Sequence, residues 1–368
     1  MKKRSRLALS SVFLLLAGCS TQTASEETIN IVIQPLSGPG ATYGEDVMHG
    51  FNYMQEKINN EINGKKVNLI VEDGKCNGKD AVSAVQKLIN VDKVEIVLGA
   101  CSGETIPAAR VAQKAVLMAT PISSSPEISH IGDYIFRYRN ALGVTKVMND
   151  YLRAKEAKSI AVVHELTDYA QDTVTALVEF DGSISFTEKF ASDERDFNII
   201  AKKVIERQDE YDYLFFVPQT EAGAISFVKA MKAEGQDIVK NKVLSSVTTL
   251  SQAFVDASDG MGLGIKGLIA DIDSFDEQTK QNLEEILGDY TPQSSFFRIL
   301  CAADLLKMTA ESIEAVYSAD AVRDHFMTFT EENKRDSLIG PFRFNQDGDA
   351  QLPYAMFEIA EEVVPLKA

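Results

Sequence analysis

From Ile29 onward, short apolar runs alternate with segments whose apolar residues recur at helical spacing, and this alternation restricts the chain to an α/β design. Runs of four to six residues bounded by turns read as buried parallel strands, and the periodic segments between them as crossover helices. Strands are expected at 29–34, 67–71, 96–99 and 115–119. Helices are expected at 44–62, with Val47, Phe51, Met54 and Ile58 inward, at 79–91, with Ala81, Val85, Leu88 and Ile89 inward, and at 104–115. The rhythm restarts after residue 142. Helices at 144–154, 169–180, 197–208 and 221–234 alternate with strands at 159–164, 184–190, 213–217, 242–245 and 267–270. The last third is mostly helical (276–287, 294–317, 319–328) and ends in strand-like pieces at 341–344 and 354–359. Two α/β units in series, with chain left over to return to both, follow from this order.

The segment before Ile29 has a different character. Lys2, Lys3, Arg4 and Arg6 precede an apolar stretch from Leu7 to Ala17, shorter than the ~20 residues a membrane-spanning helix needs. Leu16-Ala17-Gly18-Cys19 resembles a bacterial lipobox, in which the peptide is cut before the cysteine and the thiol carries lipid. The alternative is an ordinary cleaved secretory signal in which Cys19 has no role. The resemblance implies a signal peptide at 1–18, a lipidated tether at 19–28 and a protein held to a membrane outside the cytoplasm. Without residues 1–18, 350 of the 368 residues remain, more than one core of ordinary size holds, so two lobes are expected.

The formal charge is −17, and loss of the four signal-peptide cations takes it to −21. Such an acidic chain is unsuited to nucleic acid, whose phosphates require a basic surface. Cys76 and Cys101 each follow a strand-like run and are expected to pair in an oxidising compartment. Their loop gives ~3 kcal/mol of unfolded-state entropy. Cys301, within the apolar segment FFRILCAADLL, is expected to be a buried free thiol.

Seven short pieces then occur in order: Leu36-Ser37-Gly38-Pro39 with Tyr43-Gly44, Glu72-Asp73-Gly74-Lys75-Cys76, Gly99-Ala100-Cys101-Ser102, Thr120-Pro121, Pro126-Glu127, Phe136-Arg137, and Gly340-Pro341-Phe342 with Asp347-Gly348-Asp349. Together they resemble the type 1 periplasmic binding proteins of the leucine/isoleucine/valine-binding family. The resemblance implies a two-lobe α/β fold, each lobe a mostly parallel sheet flanked by helices, joined by a hinge of three crossings. Lobe one is expected to be 29–141 plus 273–338, and lobe two 142–272 plus 339–368. A small-molecule ligand is expected in the cleft, an ABC permease in the membrane as partner, and a monomer in solution. Family members carry a disulfide where Cys76 and Cys101 fall.

Candidate binding residues sit at strand ends. The helix after Gly99-Ala100-Cys101 starts with free backbone N–H groups, the Ser102 hydroxyl and Gly103, an arrangement suited to a carboxylate. Ser102 capping its own helix is the other reading. In the family, the position of Ser102 binds the ligand α-carboxylate, that of Ser124 contacts both ends of an amino acid, and that of Ile122 offers its carbonyl. Ser125 before Pro126 reads as a helix cap. Tyr43 and Tyr169 follow the first strands of the two lobes and match positions covering the ligand, although core packing is open for both. Gln219 matches a further lobe-two aromatic position.

The pattern breaks at Val247, where amino-acid-binding members have a carboxylate facing the ligand ammonium. A buried ammonium without such a partner is costly. Either Glu104, Glu221 or Asp271 supplies the acid, or the ligand is an amide, a urea-like compound or another small carboxylate.

Other motifs fail on context. Gly262 to Gly267 fits G-x-G-x-x-G but precedes a strand rather than following one. Asn345 to Asp349 lacks the distal glutamate of a calcium loop, and Met356 stands there. His49, His130, His164 and His325 have no metal-ligand spacing. No nucleophile–base pair, metal or cofactor is expected, so an enzyme is the weakest reading. A solute-binding lipoprotein of an ABC importer for a small amino acid or related carboxylate or amide is the leading one. The alternatives are a ligand-free interaction lipoprotein regulating an envelope enzyme, or a sensory binding protein.

Overall fold

The computed structural model describes residues 29–366 except 31–32, 63–64, 100, 140, 235–236, 271–275, 314–316, 331, 351 and 353. The signal segment, Cys19, the tether and Asp271 lie outside the described residues.

The first lobe begins β1 (Ile29–Asn30), β2 (Ile33–Gln34), α1 (Ala41–Lys57), β3 (Glu61–Ile62), β4 (Lys65–Asn68), β5 (Glu72–Asp73) and α2 (Gly78–Asn90). It continues with β6 (Ile96–Leu98), α3 (Ser102–Ala112), β7 (Leu117–Thr120) and β8 (Ile135–Arg137). β1 pairs β4, β2 pairs β5, and β6, β7 and β8 run side by side, all in parallel. The apolar spacing fixes the faces: Val47, Phe51 and Met54 of α1 are buried, as are Ala81, Val85 and Leu88 of α2.

The second lobe holds α4 (Ala141–Ala154), β9 (Ser159–Glu165), α5 (Asp168–Thr175), β10 (Ser183–Phe190), α6 (Asn198–Glu206), β11 (Tyr213–Val217), α7 (Glu221–Ala233), α8 (Ile238–Lys242), β12 (Val243–Ser245), α9 (Gln252–Ala257) and β13 (Lys266–Ala270). The chain then returns to the first core with α10 (Glu277–Leu287), α11 (Phe296–Ser312) and α12 (Ala319–Phe326). It ends in the second sheet with β14 (Tyr354–Ile359) and β15 (Val363–Pro365). That sheet has the order β10-β9-β11-β12-β13-β14-β15, parallel through β13 and antiparallel for the last two. Apolar clusters lie on both faces of the second-lobe sheet, which explains the apolar run of its inner strand β11.

The chain passes between the two cores after Tyr138, after Ala270 and between Leu352 and Tyr354. The last passage corrects the expected boundary at 338/339. Ile339, Phe342, Phe344 and Ala350 pack in the first-lobe core, where Phe136, Phe326, Phe342 and Phe344 interlock edge to face and stacked. The buried Arg137–Asp349 ion pair pins this hairpin to β8. Gly348 O accepts from Arg137 N at 2.9 Å, and Ala350 N donates to Arg137 O at 2.8 Å. The strand-like 341–344 reading was therefore local pattern without its partner: Arg335 bridges Phe342 and Phe344 bridges Ala350.

Gly50 lets α1 and α11 meet, since a Cβ there would lie 2.2 Å from the Ile299 carbonyl oxygen. Cys301 is buried and free on α11. Gly262 to Gly264 form a turn leading into β13, not a strand-to-helix phosphate loop. Among the described residues no helix is long and apolar enough to cross a membrane, and no cluster of potential metal ligands occurs.

Candidate functional site

The two lobes meet over a cavity lined by Tyr43, Cys101, Ser102, Ile122, Arg139 and Arg298 from the first and by Tyr169, Gln219, Val247 and Thr248 from the second. The space among its wall atoms, the part open to solvent included, is about 360 Å³. Five of the sequence candidates (Tyr43, Ser102, Ile122, Tyr169 and Gln219) therefore share one wall-to-wall space.

Ser102 opens α3 but does not cap it; Cys101 occupies the cap position. The Ser102 hydroxyl oxygen instead accepts the Ser124 and Ser125 N–H groups, each at 3.3 Å. Both lone pairs being used, its proton is the part left to donate into the cavity. Ser124 acts through that bond and does not itself line the cavity. Gly103 also lies off the wall, close to the Cys76 carbonyl, where a Cβ would come within 3.1 Å. Cys76 and Cys101 are disulfide-bonded, Cα to Cα 5.8 Å, which ties the start of α3 to the loop after β5.

The cleft is closed. The Tyr43 hydroxyl donates to the Gln219 carbonyl, the Gln219 amide reaches Cys76 Sγ at 3.1 Å, and the Ser125 hydroxyl donates to Asp172 on α5. Burial pushes the Tyr43 phenol up, so it remains a donor across the pH range. Ser125 also caps the short helix at Pro126–His130 through Glu127 N.

The three candidate acids do not stand on the wall. Glu104 is buried beneath it and accepts Cys76 N at 2.8 Å and Cys101 N at 3.0 Å. Burial raises its carboxyl to about 7 against those two bonds. Glu221, at the first turn of α7, accepts from Ser251 Oγ at 3.1 Å, and burial raises its carboxyl too. Asp271 is outside the described residues. Val247 does line the cavity, and no described carboxylate does.

Sequence reasoning missed Arg139, just after β8, and Arg298, in the first turn of α11. Arg298 lies with its guanidinium carbon 4.0 Å from the centre of the Tyr43 ring. A charged residue within the apolar run FFRILC was the available signal, because a guanidinium on a buried helix face needs a purpose. Glu165 was missed as well. It accepts Gln219 N at 2.7 Å and Thr220 N at 3.1 Å and so shapes the loop that carries Gln219 into the cleft.

Two α/β lobes closing on a small chamber between them form the architecture of a binding protein. Residues 29–362 match the periplasmic binding protein family, and the chain belongs to it. An amino acid binding protein of Pseudomonas aeruginosa is 32% identical over 242 residues, which span 62% of this chain and 62% of that protein. The Leu/Ile/Val-binding protein of Escherichia coli is 24% identical over 361 residues, 91% of this chain and 92% of its own. A solute binding protein of an ABC transporter from Rhodopseudomonas palustris, solved with p-hydroxybenzoic acid, has the same fold, with a TM-score of 0.81 at 19% identity over 93% of this chain and 96% of its own.

Proposed function

We propose that this chain is the extracytoplasmic substrate-binding lipoprotein of an ABC importer and that it holds a small carboxylate-bearing solute between its lobes. The observation that carries the reading is the polar corner at Ser102, whose hydroxyl accepts the Ser124 and Ser125 N–H groups and lines a closed interlobe cavity. Relatives named for amino acids support the class of solute, and the family supports an extracytoplasmic site of action. Lobe one holds the carboxylate, lobe two closes over it with Tyr169 and Gln219, and the closed form docks on the membrane permease. The lipid on Cys19 keeps the protein at the membrane.

Thermal unfolding of the purified protein against amino acids, their amides and small carboxylates tests the binding reading. A true ligand at a hundred times its Kd adds ~2.7 kcal/mol, and Ser102→Ala should weaken binding about tenfold. A ligand bound equally well by Ser102→Ala refutes the placement. Cys19→Ser should release the protein from the membrane fraction; retention there refutes the anchor.

A further inference from the structure

The cavity wall holds two guanidinium groups and no described carboxylate. Arg139 is 6% exposed and Arg298 5% exposed. In both, Nε is buried without a hydrogen-bond partner. Neither makes an ion pair among the described residues, whereas the other buried arginines do: Arg137 pairs with Asp349, and Arg335 with Asp304 and Glu311. Among the described residues the pair is thus the exception, the other buried arginines being ion-paired.

The nearby acids offset part of this charge from a distance but pair with neither guanidinium. Asp46 acts on Arg298 electrostatically, while its oxygens are occupied by the Gln293, Ser294 and Ser295 N–H groups and by the Ser294 and Tyr290 hydroxyls. Glu221 also acts on Arg298, and its own carboxyl is bonded to Ser251 Oγ. Arg139 and Arg298 repel each other, and together with burial this weakens the hold of Arg298 on its proton.

We propose that the ligand is a short organic dianion without an ammonium group, one anionic end seated at the Ser102 hydroxyl and the other shared by Arg139 and Arg298. A dicarboxylate is the simplest such molecule. The inference rests on the proposed solute-binding role and gives its specificity. It accounts for Val247: among the described wall residues no acid faces an ammonium, the ligand brings none, and one would be repelled by two guanidinium charges. Planar guanidinium forks suit a carboxylate, which accepts from both at once. Arg139, Val247 and Arg298 also border a wider groove towards β14, so the competing account is that water from the groove merely hydrates the arginines.

Calorimetric titration of the purified protein separates these. The probes are succinate, glutarate and terephthalate, the monoamide of each, and the zwitterions glutamate and leucine. At least one diacid should bind about 100-fold more tightly than its own monoamide and than either zwitterion. Arg139→Gln and Arg298→Gln should each reduce that preference at least tenfold, with Ser102→Ala weakening diacid and monoamide alike. If either glutamine variant fails to fold, the lysine variant, which keeps the charge and loses the fork, should still reduce the preference. A monoamide or zwitterion that binds as tightly as every diacid overturns the dianion inference and leaves the solute-binding reading intact. Binding of none of the probes overturns both.

Discussion

Gly50→Ala sets two well-sized effects against each other at the helix pair that builds the cavity. On helix propensity alone, alanine inside α1 should stabilise by about 1 kcal/mol. The structure places the added methyl 2.2 Å from the Ile299 carbonyl oxygen and 3.0 Å from both Ala302 Cβ and Ala303 N. The nearest atom is backbone and cannot rotate aside, so α1 and α11 must separate. Overpacking of this kind costs ~1–3 kcal/mol or more, leaving a net loss of about 1–2 kcal/mol at the upper half of that range. For a lobe of this size that lowers the unfolding midpoint by about 2–8 °C. Differential scanning calorimetry reads it, with the loss expected in the transition of the first lobe. Ligand binding should weaken too, because α1 carries Tyr43 and α11 carries Arg298, stacked 4.0 Å apart across the same helix pair. A midpoint that rises with Gly50→Ala refutes the close-approach argument.

Three other perturbations have definite signs. Replacing Cys76 and Cys101 by serine opens a link with a sequence separation of 25, worth ~3 kcal/mol on the chain-entropy account; an unchanged urea midpoint would count against it. Glu104 titrates near 7 in the fold and near 4.5 unfolded, so its neutral form favours folding below pH 4.5 and that contribution disappears as pH rises through 7. Wild type should therefore lose on the order of 3 kcal/mol relative to Glu104→Gln between pH 4.5 and 7.5, and a pH-independent difference contradicts the assignment. Asp172→Ala removes the interlobe bond from Ser125, at ~0.5–1.5 kcal/mol. Bound ligand should leave about two- to tenfold faster in a stopped-flow displacement assay, while an unchanged release rate shows that the bond does not hold the cleft shut.

The parts of the fold that depend on local pattern were legible. The strand at 213–217 and the helix at 221–233 fall within a residue of the apolar period and the turn residues beside them. β8 and β15 were not: β6 and β12 are as short but follow a long helical period in the alternating rhythm, whereas no such period precedes β8 or β15. The hairpin at 339–350 was assigned to the wrong lobe for a related reason: what holds it is the ion pair from Arg137 to Asp349, 212 residues apart, which no local period encodes. At the site, residues on strand-end loops were readable because an open α/β sheet gathers such loops at one edge. Arg139 and Arg298 were not: Arg139 follows β8, a strand the pattern did not reveal, and Arg298 reaches the cleft from a helix that reads as core. Glu104 shows the opposite failure. Its position beside Ser102 suggested a ligand partner, but its geometry makes it the acceptor that joins Cys76 N to Cys101 N.

The placement of the two arginines also determines where selectivity acts. Both belong to the first lobe, whereas the second contributes Tyr169, Gln219, Val247 and Thr248, none of them charged. Closing an empty cleft strips water from two guanidinium groups and offers them no ion pair among the described residues, at several kcal/mol per ion. The bonds gained across the lobes, such as Tyr43 to Gln219 and Ser125 to Asp172, return ~0.5–1.5 kcal/mol each. On these magnitudes the cross-lobe bonds offset only part of the cost. A neutral or zwitterionic solute leaves that balance nearly unchanged even when its shape fits, since it brings no net charge to the arginines. A dianion supplies the missing charge within the first lobe before closure begins, so the neutral second lobe closes over a site already discharged. Discrimination is then made by the step from open to closed rather than by first contact, and it follows the charge of the solute more closely than its size.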